Sequence, residues 1–264
     1  MTAHGRPLFI NLNDEGWSNV VSLAPPVRIF IGTSANGEDL EAEIAYEHSL
    51  RKNCSRDIEI VWMRQTQDRS SFWFGFETST WSTPFSGFRW AIPEYCGFHG
   101  RALYTDVDMI NRRDISQLFD LDLQGRALAA RRGTRFGGFE FCVTLFDCAA
   151  MQPFLAAMNI WDRTFHHNAM AFFSSHPELL LTIDPRWNCF DGEGRSVEDI
   201  WQLHFTRMST QPWKPAWFTG TPEMHERRDL VDLWRKHREL GYAIGLNGAG
   251  ENPGGPVTYD IIGR

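Results

Sequence analysis

The chain has 264 residues, of which 42% are apolar and 22% are charged, a composition typical of globular proteins and unlike that of disordered or fibrous ones. Its formal net charge of −7 argues against a nucleic-acid partner, because binding to phosphates needs a basic surface. No apolar run approaches the roughly 20 residues of a transmembrane helix, and Asp14 and Glu15 do not fit a secretory signal. We therefore expect a cytoplasmic protein without a transmembrane segment.

The first predicted elements form a strand, a loop and a helix. The apolar run Val27–Ile31 predicts a strand that Gly32 closes, and the preceding Pro25 and Pro26 place the start of the folded domain near Val27. Helical spacing of apolar residues predicts a helix over 38–52. A second strand is expected over 58–63, followed by a mobile loop over 70–84.

Strands and helices continue to alternate along the chain. A helix over 85–95 is expected to bend or end at Pro93, and strands are expected over 101–104 and 139–146. The remaining predicted elements are helices over 149–158, 197–203 and 222–240, with a loose glycine-rich tail from Gly241. This alternation predicts an α/β fold with a mostly parallel sheet, in which ligands bind beyond the carboxyl ends of the strands.

The five cysteines are odd in number and show no C-x-x-C spacing, which predicts reduced thiols rather than a disulfide framework or a zinc ribbon. The 11 Trp and 20 Phe are more numerous than usual. Core packing is the ordinary use of so many aromatic side chains, and a ligand platform is the alternative.

Two carboxylates follow the strand over 101–104. In extended backbone, Asp106 and Asp108 point to the same side and can address one cation. A second D-x-D, Asp120 and Asp122, follows a short helical segment, where a solvated loop is the ordinary explanation. The strand context favours the first pair as a metal site.

His204 would complete an oxygen, oxygen and nitrogen ligand set suited to manganese. A buried structural histidine is the alternative. The positive charge of Lys214 could neutralise a diphosphate, and an ordinary surface lysine without a binding role is the alternative. The polar patch His166–Asn168 is interpreted as a helix cap or a solvated loop.

Taken in order, several segments resemble the motifs of nucleotide-sugar glycosyltransferases of the GT-A fold, and glycosyltransferase family 8 in particular, over about residues 27–217. The segments are Ile29–Thr33, His48–Lys52, Phe88–Trp90, Tyr104–Asp108, Asp114–Phe119 and Trp187–Asn188. Phe88-Arg89-Trp90 resembles the family's aromatic-Arg step, with Arg89 located 17 residues before Asp106, as in the family pattern.

This resemblance implies an α/β GT-A fold and a role for each matching residue. Asp106, Asp108 and His204 would hold Mn²⁺, with Mg²⁺ as the alternative, and Arg89 would contact the diphosphate or the donor sugar. The nucleotide would be held by Ile31, Gly32, Thr33, Arg89, Val107 and Lys214. The implied candidate catalytic residues are Arg89, Asp106, Asp108, Asp162 and Asn168. The implied domains are an N-terminal extension (1–26), a GT-A domain (27–220) and a C-terminal helix with a loose tail (221–264).

The sequence departs from the family pattern on the sugar side of the site. The family's D-Q-D motif has no clean counterpart, and Asp162-Arg163 and His167-Asn168 are the two candidates for its place. Glu140-Phe141-Cys142 replaces a small Asn-Ala-Gly segment, and the spacing from His204 to Lys214 is altered.

The resulting hypothesis is a metal-dependent glycosyltransferase that uses a UDP-sugar, with retention of anomeric configuration, in polysaccharide biosynthesis. Its acceptor would be a glycan, a lipid-linked glycan or a protein, and peripheral contact with the inner face of a membrane is an alternative location. Two other functions remain open, a noncatalytic nucleotide-sugar or carbohydrate-binding protein and a sugar-phosphate nucleotidyltransferase. The absence of basic residues from Gly32–Gly37 counts against the nucleotidyltransferase.

Overall fold

The computed structural model describes residues 24–133, 138–214 and 224–249, together with the backbone of 10–12 and 18–20. The N-terminal strands β1 (Ile10–Leu12) and β2 (Ser18–Val20) pair with each other in antiparallel orientation. The following strands are β3 (Val27–Gly32), β4 (Ile58–Met63), β5 (Arg101–Asp106), β6 (Met109–Asn111), β7 (Leu128–Arg132), β8 (Phe139–Asp147), β9 (Leu180–Thr182), β10 (Cys189–Phe190) and β11 (Gln202–His204).

Six of these strands form the central sheet, in the order β4-β3-β5-β8-β7-β9. The pairs β3–β4, β3–β5 and β7–β9 are parallel, whereas β8 is antiparallel to both of its neighbours. The small sheet β10-β11-β6 lies beyond the carboxyl end of β5, because β6 follows β5 after only two residues. The two sheets therefore meet at Val107 and Asp108.

The helices are α1 (Leu40–Asn53), α2 (Ile92–Tyr95), α3 (Ser116–Phe119), α4 (Cys148–Leu155), α5 (Phe165–Ser175) and α6 (Arg228–Ala243). Strands β3 and β5 are almost wholly buried. Their near-continuous apolar sequences suit strands that are covered on both faces. The α/β class, with a central sheet flanked by helices, is confirmed.

Several predicted elements differ from the structure. Residues 197–203, predicted as a helix, form a short 3-10 turn (Val197–Asp199) and then β11. All three residues of β11 (Gln202, Leu203 and His204) are buried, and three residues are too few to show the period that separates a strand from a helix. Conversely, α5 is a helix where the His166–Asn168 patch was interpreted as a cap or loop.

Two helix boundaries also differ. Residues 85–95 form a 3-10 turn (Phe88–Ala91) followed by α2, with Pro93 in the first turn of α2, where proline is tolerated. Helix α6 begins at Arg228 rather than at 222 and continues to Ala243, past the predicted start of the loose tail. Residues 222 and 223 lie outside the described residues.

Aromatic side chains fill the core. Trp90 stacks on Phe173 with ring centroids 5.2 Å apart. Trp73, Phe76 and Trp81 are buried within the segment predicted as a mobile loop, so that segment is anchored by its aromatic residues. All five cysteines have free thiols. Among the described helices, none combines the length and apolar character needed to cross a membrane.

Helix α6 packs against α1, and two histidines meet at this contact. Nδ1 of His48 lies 2.9 Å from Nδ1 of His237, and both residues are buried. Burial lowers the pKa of His237 to about 4, helped by the nearby charges of His48, Lys52 and Lys236. Burial also lowers the pKa of His48. The pair is therefore neutral in the folded protein at neutral pH.

The histidine pair predicts a loss of stability in mild acid. In the unfolded chain His237 protonates near its ordinary pKa of 6.5, whereas in the folded chain it does so only near 4. Between these values the unfolded state binds more protons, so the free energy of unfolding falls as the pH falls. Between pH 7 and pH 5 this residue accounts for a loss on the order of 2 kcal/mol. Chemical denaturation at both pH values measures it, and His237→Gln should flatten the slope; an unchanged slope contradicts the prediction.

Candidate active site

The site lies where the carboxyl ends of β3 and β5 meet, at the edge expected for ligand binding. Gly32 pairs with Asp106 across the parallel strands β3 and β5. A Cβ on Gly32 would lie 2.6 Å from Cδ2 of Phe85 and 3.1 Å from the hydroxyl of Tyr104. Glycine is thus required here by close packing beside the site.

The carboxylate of Asp106 is held from one side. Its Oδ1 accepts a hydrogen bond from the hydroxyl of Tyr104 and lies 3.3 Å from Nη2 of Arg89. The guanidinium of Arg89 is buried over the ring of Tyr104, 4.4 Å from its centroid, and its Nε donates to the carbonyl of Ser86. The other oxygen of Asp106, Oδ2, faces His204 at 3.9 Å.

The antiparallel pairing of β6 with β11 brings His204 to the aspartates. The amide of Phe205 donates to the carbonyl of Asp108 at 2.9 Å, and His204 pairs with Met109. As a result, Nε2 of His204 lies 3.1 Å from Oδ1 of Asp108. The structure therefore brings together Asp106, Asp108 and His204, three residues that the sequence singled out from segments about 100 residues apart.

The orientation of His204 is set by its other ring nitrogen. Nδ1 lies 3.0 Å from Oδ1 of Asn188, which accepts its proton. In the neutral ring, Nε2 then carries a lone pair directed at two carboxylates, and Oδ1 of Asp108 is buried without a donor. A buried oxygen and a ring nitrogen that face each other are suited to bind a cation, and a hydrogen bond from the other ring nitrogen to an amide oxygen is typical of metal-bound histidines.

The electrostatics of the site favour a cation. Burial disfavours the charged imidazole of His204, but the carboxylates of Asp108 and Asp106 outweigh this effect and raise its pKa. Burial raises the pKa of Asp108, against the opposing effect of His204. A divalent cation would relieve both the burial cost and the repulsion between the two carboxylates. The residues present therefore fit a divalent metal ion.

A thiol also belongs to this cluster. The sulfur of Cys142, one carboxylate oxygen of Asp106 and one ring nitrogen of His204 all lie within 4.8 Å of one another. Cys142 is the last residue of the Glu140-Phe141-Cys142 segment, whose sequence departs from the family pattern.

The predicted nucleotide contacts near the end of β3 lie in the core, and a cavity lies beside the loop that follows β3. The side chains of Ile31, Thr33 and Val107 are buried, and the hydroxyl of Thr33 donates to Oε1 of Glu43 at 2.6 Å. A cavity of about 820 Å³ shares Glu43 with this contact, but Ile31, Thr33 and Val107 do not line it. It is lined by Ala35, Asn36, Gly37, Leu40, Glu43, Arg64, Gln65, Thr66, Gln67 and Asn247.

Lys214 lies near the same loop. Its Nζ is 3.7 Å from Oδ1 of Asp39, which also accepts a hydrogen bond from the indole of Trp213 at 3.1 Å. Gln211, three residues earlier, donates to Oδ2 of Asp108 at 3.1 Å and to the carbonyl of Phe205 at 2.7 Å. The segment 211–214 thus connects Asp108 to the loop after β3.

Asp162 and Asn168 lie around the first turn of α5. The carboxylate of Asp162 accepts from the amide and hydroxyl of Thr164, both at 2.7 Å, and the amide group of Asn168 donates to the same hydroxyl at 2.9 Å. Both residues are exposed, and both line a second cavity of about 180 Å³. Among the described contacts, none joins either residue to Asp106 or Arg89.

His166 approaches Arg89 and Asp106 from α5. Its Nδ1 accepts from the indole of Trp90 at 3.2 Å, and burial lowers its pKa to about 3, helped by the charge of Arg89. The second D-x-D is a surface feature, because Asp120 pairs with Arg56 at 3.0 Å and is more than half exposed.

Sequence reasoning missed the supporting residues Tyr104, Cys142, Asn188 and Gln211 as members of the site. Tyr104 and Asn188 lie inside family-like motifs, and Cys142 lies in a segment that departs from the family pattern near the site, so their positions were a usable signal. Gln211 gave none, because its proximity depends on a loop that returns to the site.

The role of Asn188 gives a testable prediction. Replacing Asn188 with alanine removes the acceptor that fixes the ring of His204, and we expect metal affinity to fall by about 10- to 100-fold. Calorimetric titration with Mn²⁺ in the presence of UDP measures this change. Asn188→Asp, which keeps an acceptor oxygen, should retain most of the affinity, and equal losses in both variants would contradict the orienting role.

Comparison with known proteins identifies the fold. No protein-family model matches the chain. Among solved structures, the bifunctional glycosyltransferase WbbM matches 84% of the chain with a TM-score of 0.56 and 12% identity. The glycosyltransferase GlyE of Streptococcus pneumoniae TIGR4 matches 85% of the chain with a TM-score of 0.57 and 17% identity. The galactosyltransferase LgtC, in complex with donor and acceptor sugar analogues, matches over 80% of the chain with a TM-score of 0.51 and 13% identity. The chain has the GT-A glycosyltransferase fold, as the resemblance to family 8 implied.

The chain spans 52% of the WbbM chain and 66% of the GlyE chain, but 96% of LgtC. Among curated proteins, the chain is similar to Protein CDI of Arabidopsis thaliana, with 25% identity over 256 residues, which covers 87% of this chain and 92% of that protein.

Proposed function

We propose that the protein is a nucleotide-sugar-dependent glycosyltransferase whose divalent cation is held by Asp106, Asp108 and His204. The observation that carries this proposal is the placement of Nε2 of His204 at 3.1 Å from Asp108 and 3.9 Å from Asp106, at the ligand-binding edge of a GT-A sheet. The donor proposed from the family resemblance is a UDP-sugar, and the expected ion is Mn²⁺ or Mg²⁺.

The chemistry assigned to the site is electrostatic. A bound divalent cation would act as a Lewis acid toward the departing nucleoside diphosphate. Arg89 is fixed by Tyr104, Ser86 and Asp106, so its charge is already oriented beside the place where negative charge develops. Lys214 would add a second positive charge on the side of the loop after β3. Retention of configuration is proposed from the resemblance.

The cavity of about 820 Å³ is the proposed site for the nucleotide. Its volume lies within the range of small-molecule sites, and its walls are the loops that follow β3 and β4. The first lining residue, Ala35, follows Thr33 by two positions, and Val107 lies between the two aspartates. From the family resemblance we assign Ile31, Gly32, Thr33, Val107 and Lys214 to nucleotide binding.

The acceptor side is proposed from sequence alone. A glycan, a lipid-linked glycan or a protein would accept the sugar, in polysaccharide biosynthesis or a related process, with Asp162 and Asn168 as candidate contacts. The expected location is the cytoplasm, with peripheral membrane contact as the alternative.

A noncatalytic nucleotide-sugar-binding protein is the second candidate, because Asp162 and Asn168 are hydrogen-bonded to Thr164 within their own turn. Incubation with UDP-glucose or UDP-galactose and Mn²⁺ distinguishes the two functions. An enzyme releases UDP by hydrolysis or transfer, at a rate that Arg89→Ala reduces, whereas a binding protein releases none.

Thermal unfolding with UDP, with and without Mn²⁺, tests the proposed binding. A ligand present at about 100 times its Kd stabilises the folded state by about 2.7 kcal/mol, which corresponds to a rise in Tm of roughly 5–10 °C. We expect this rise only when both components are present. No shift with either component, alone or together, would contradict the proposal.

A further inference from the structure

We propose that Cys142 supplies a thiolate ligand to the cation site, so that this site prefers a sulfur-accepting ion such as Zn²⁺ or Co²⁺ to Mg²⁺. The inference rests on the cation site proposed above and deepens it by assigning a further ligand and the class of ion. The sequence alone led to the expectation of Mn²⁺ or Mg²⁺.

Strand pairing places the thiol. Strands β5 and β8 are antiparallel, with Thr105 opposite Val143 and Tyr104 opposite Thr144. Continuing this register by one residue puts Cys142 opposite Asp106. Directly opposed residues project from the same face of the sheet, so Cys142 and Asp106 extend together toward the site at the end of β5.

The distances fit a compact ligand set. The sulfur of Cys142, an oxygen of Asp106 and a nitrogen of His204 are mutually within 4.8 Å. Around a tetrahedral zinc ion, neighbouring ligand atoms are separated by about 3.4–3.6 Å, given metal–ligand bonds of roughly 2.0–2.3 Å. Asp108 lies beside this set, with its Oδ1 3.1 Å from Nε2 of His204.

The chemistry of the donor set selects the ion. Two carboxylates and an imidazole accept Mg²⁺, Mn²⁺ and Zn²⁺, whereas a thiolate adds affinity chiefly for Zn²⁺ and other sulfur-accepting ions. When the sulfur–metal bond forms, the thiol of Cys142 loses its proton to solvent. Arg89, 3.3 Å from Asp106, stays on the far oxygen of that carboxylate and leaves Oδ2 directed toward His204.

The test is optical titration of the full-length protein with Co²⁺, alone and with UDP. A cobalt–thiolate bond gives a sulfur-to-cobalt charge-transfer band in the near ultraviolet, whereas ligation by oxygen and nitrogen gives only the weaker visible bands. We expect the charge-transfer band in the wild type, its loss in Cys142→Ser, and its retention in the matched control Cys54→Ser, whose thiol lies after α1. Zn²⁺ should displace Co²⁺, whereas about a hundredfold excess of Mg²⁺ should not, and Zn²⁺ affinity should fall at least about tenfold in Cys142→Ser.

The outcomes separate this inference from the proposed function. Visible cobalt bands without the charge-transfer band, or a band that persists in Cys142→Ser, overturn the thiolate ligand and leave the cation site standing. No cobalt binding in the wild type, with or without UDP, overturns both. Cys142→Ala provides a second variant should the serine hydroxyl disturb folding, and thermal unfolding of each metal-free variant verifies that the fold is intact.

Discussion

Replacing Asp108 with alanine is expected to abolish the rise in Tm that UDP and metal produce together, and to reduce any sugar transfer by at least about 100-fold. The carboxylate is 3.1 Å from His204 and contributes an otherwise unsatisfied buried oxygen, so its loss removes a ligand and leaves the imidazole facing Asp106 alone. Effects of this size accompany the loss of a group that stabilises charge in the transition state. Thermal unfolding and UDP release measure the two effects.

The change should leave the metal-free protein folded. Burial already raises the pKa of Asp108, and removing that carboxylate relieves its repulsion with Asp106. Asp108→Asn, which keeps an acceptor for Gln211, should lose metal-dependent binding in the same way. Asp120→Asn in the exposed second D-x-D is the matched control, and it should behave as the wild type. Metal-dependent UDP binding that survives in Asp108→Ala would refute the assignment.

Replacing Gly241 with alanine is expected to destabilise the protein by about 1–3 kcal/mol, lowering Tm by roughly 5 °C. Alanine is the better helix former by about 1 kcal/mol, so an isolated helix would gain from the change. In the folded protein, however, the added Cβ would lie 2.6 Å from Cγ2 of Ile44 and 3.0 Å from its carbonyl oxygen. The backbone of α1 cannot yield to this contact without separating α1 from α6.

Gly138 provides the matched control, because a Cβ added there would meet nothing closer than 3.9 Å and its backbone does not require glycine. Gly138→Ala should therefore change the free energy of unfolding by less than about 0.5 kcal/mol. Stabilisation in Gly241→Ala would mean that helix propensity outweighs the close contact and that α6 packs less tightly than the structure indicates.

Local sequence was sufficient for the strands that build the site. The strands β3, β4, β5 and β8 were predicted close to their observed bounds, because together they are rich in the β-branched and aromatic residues typical of strands. Short segments of mixed polarity were less informative. Residues 197–203 were assigned to a helix, and only the pairing of β11 with β6 decides that they end in a strand.

The candidate site likewise contains residues that the sequence indicated and residues that only the fold brings there. The positions of Asp106 and Asp108 follow from a strand that ends in two alternating carboxylates, and motif order alone indicated His204. The contribution of Cys142 depends on an antiparallel register between β5 and β8, which no local pattern encodes. Likewise, only the fold places Asn188 behind the imidazole of His204.

The sequence by itself determined the α/β class, the likeness to GT-A glycosyltransferases and the two aspartates, since these depend on local hydrophobicity and on the order of motifs. The tertiary structure alone decided which distant side chains meet Asp106, how His204 is oriented, and that α6 closes against α1. The physical reason is that hydrogen bonds between strands and contacts between helices join residues far apart in the chain, so their geometry is fixed only when the whole core packs.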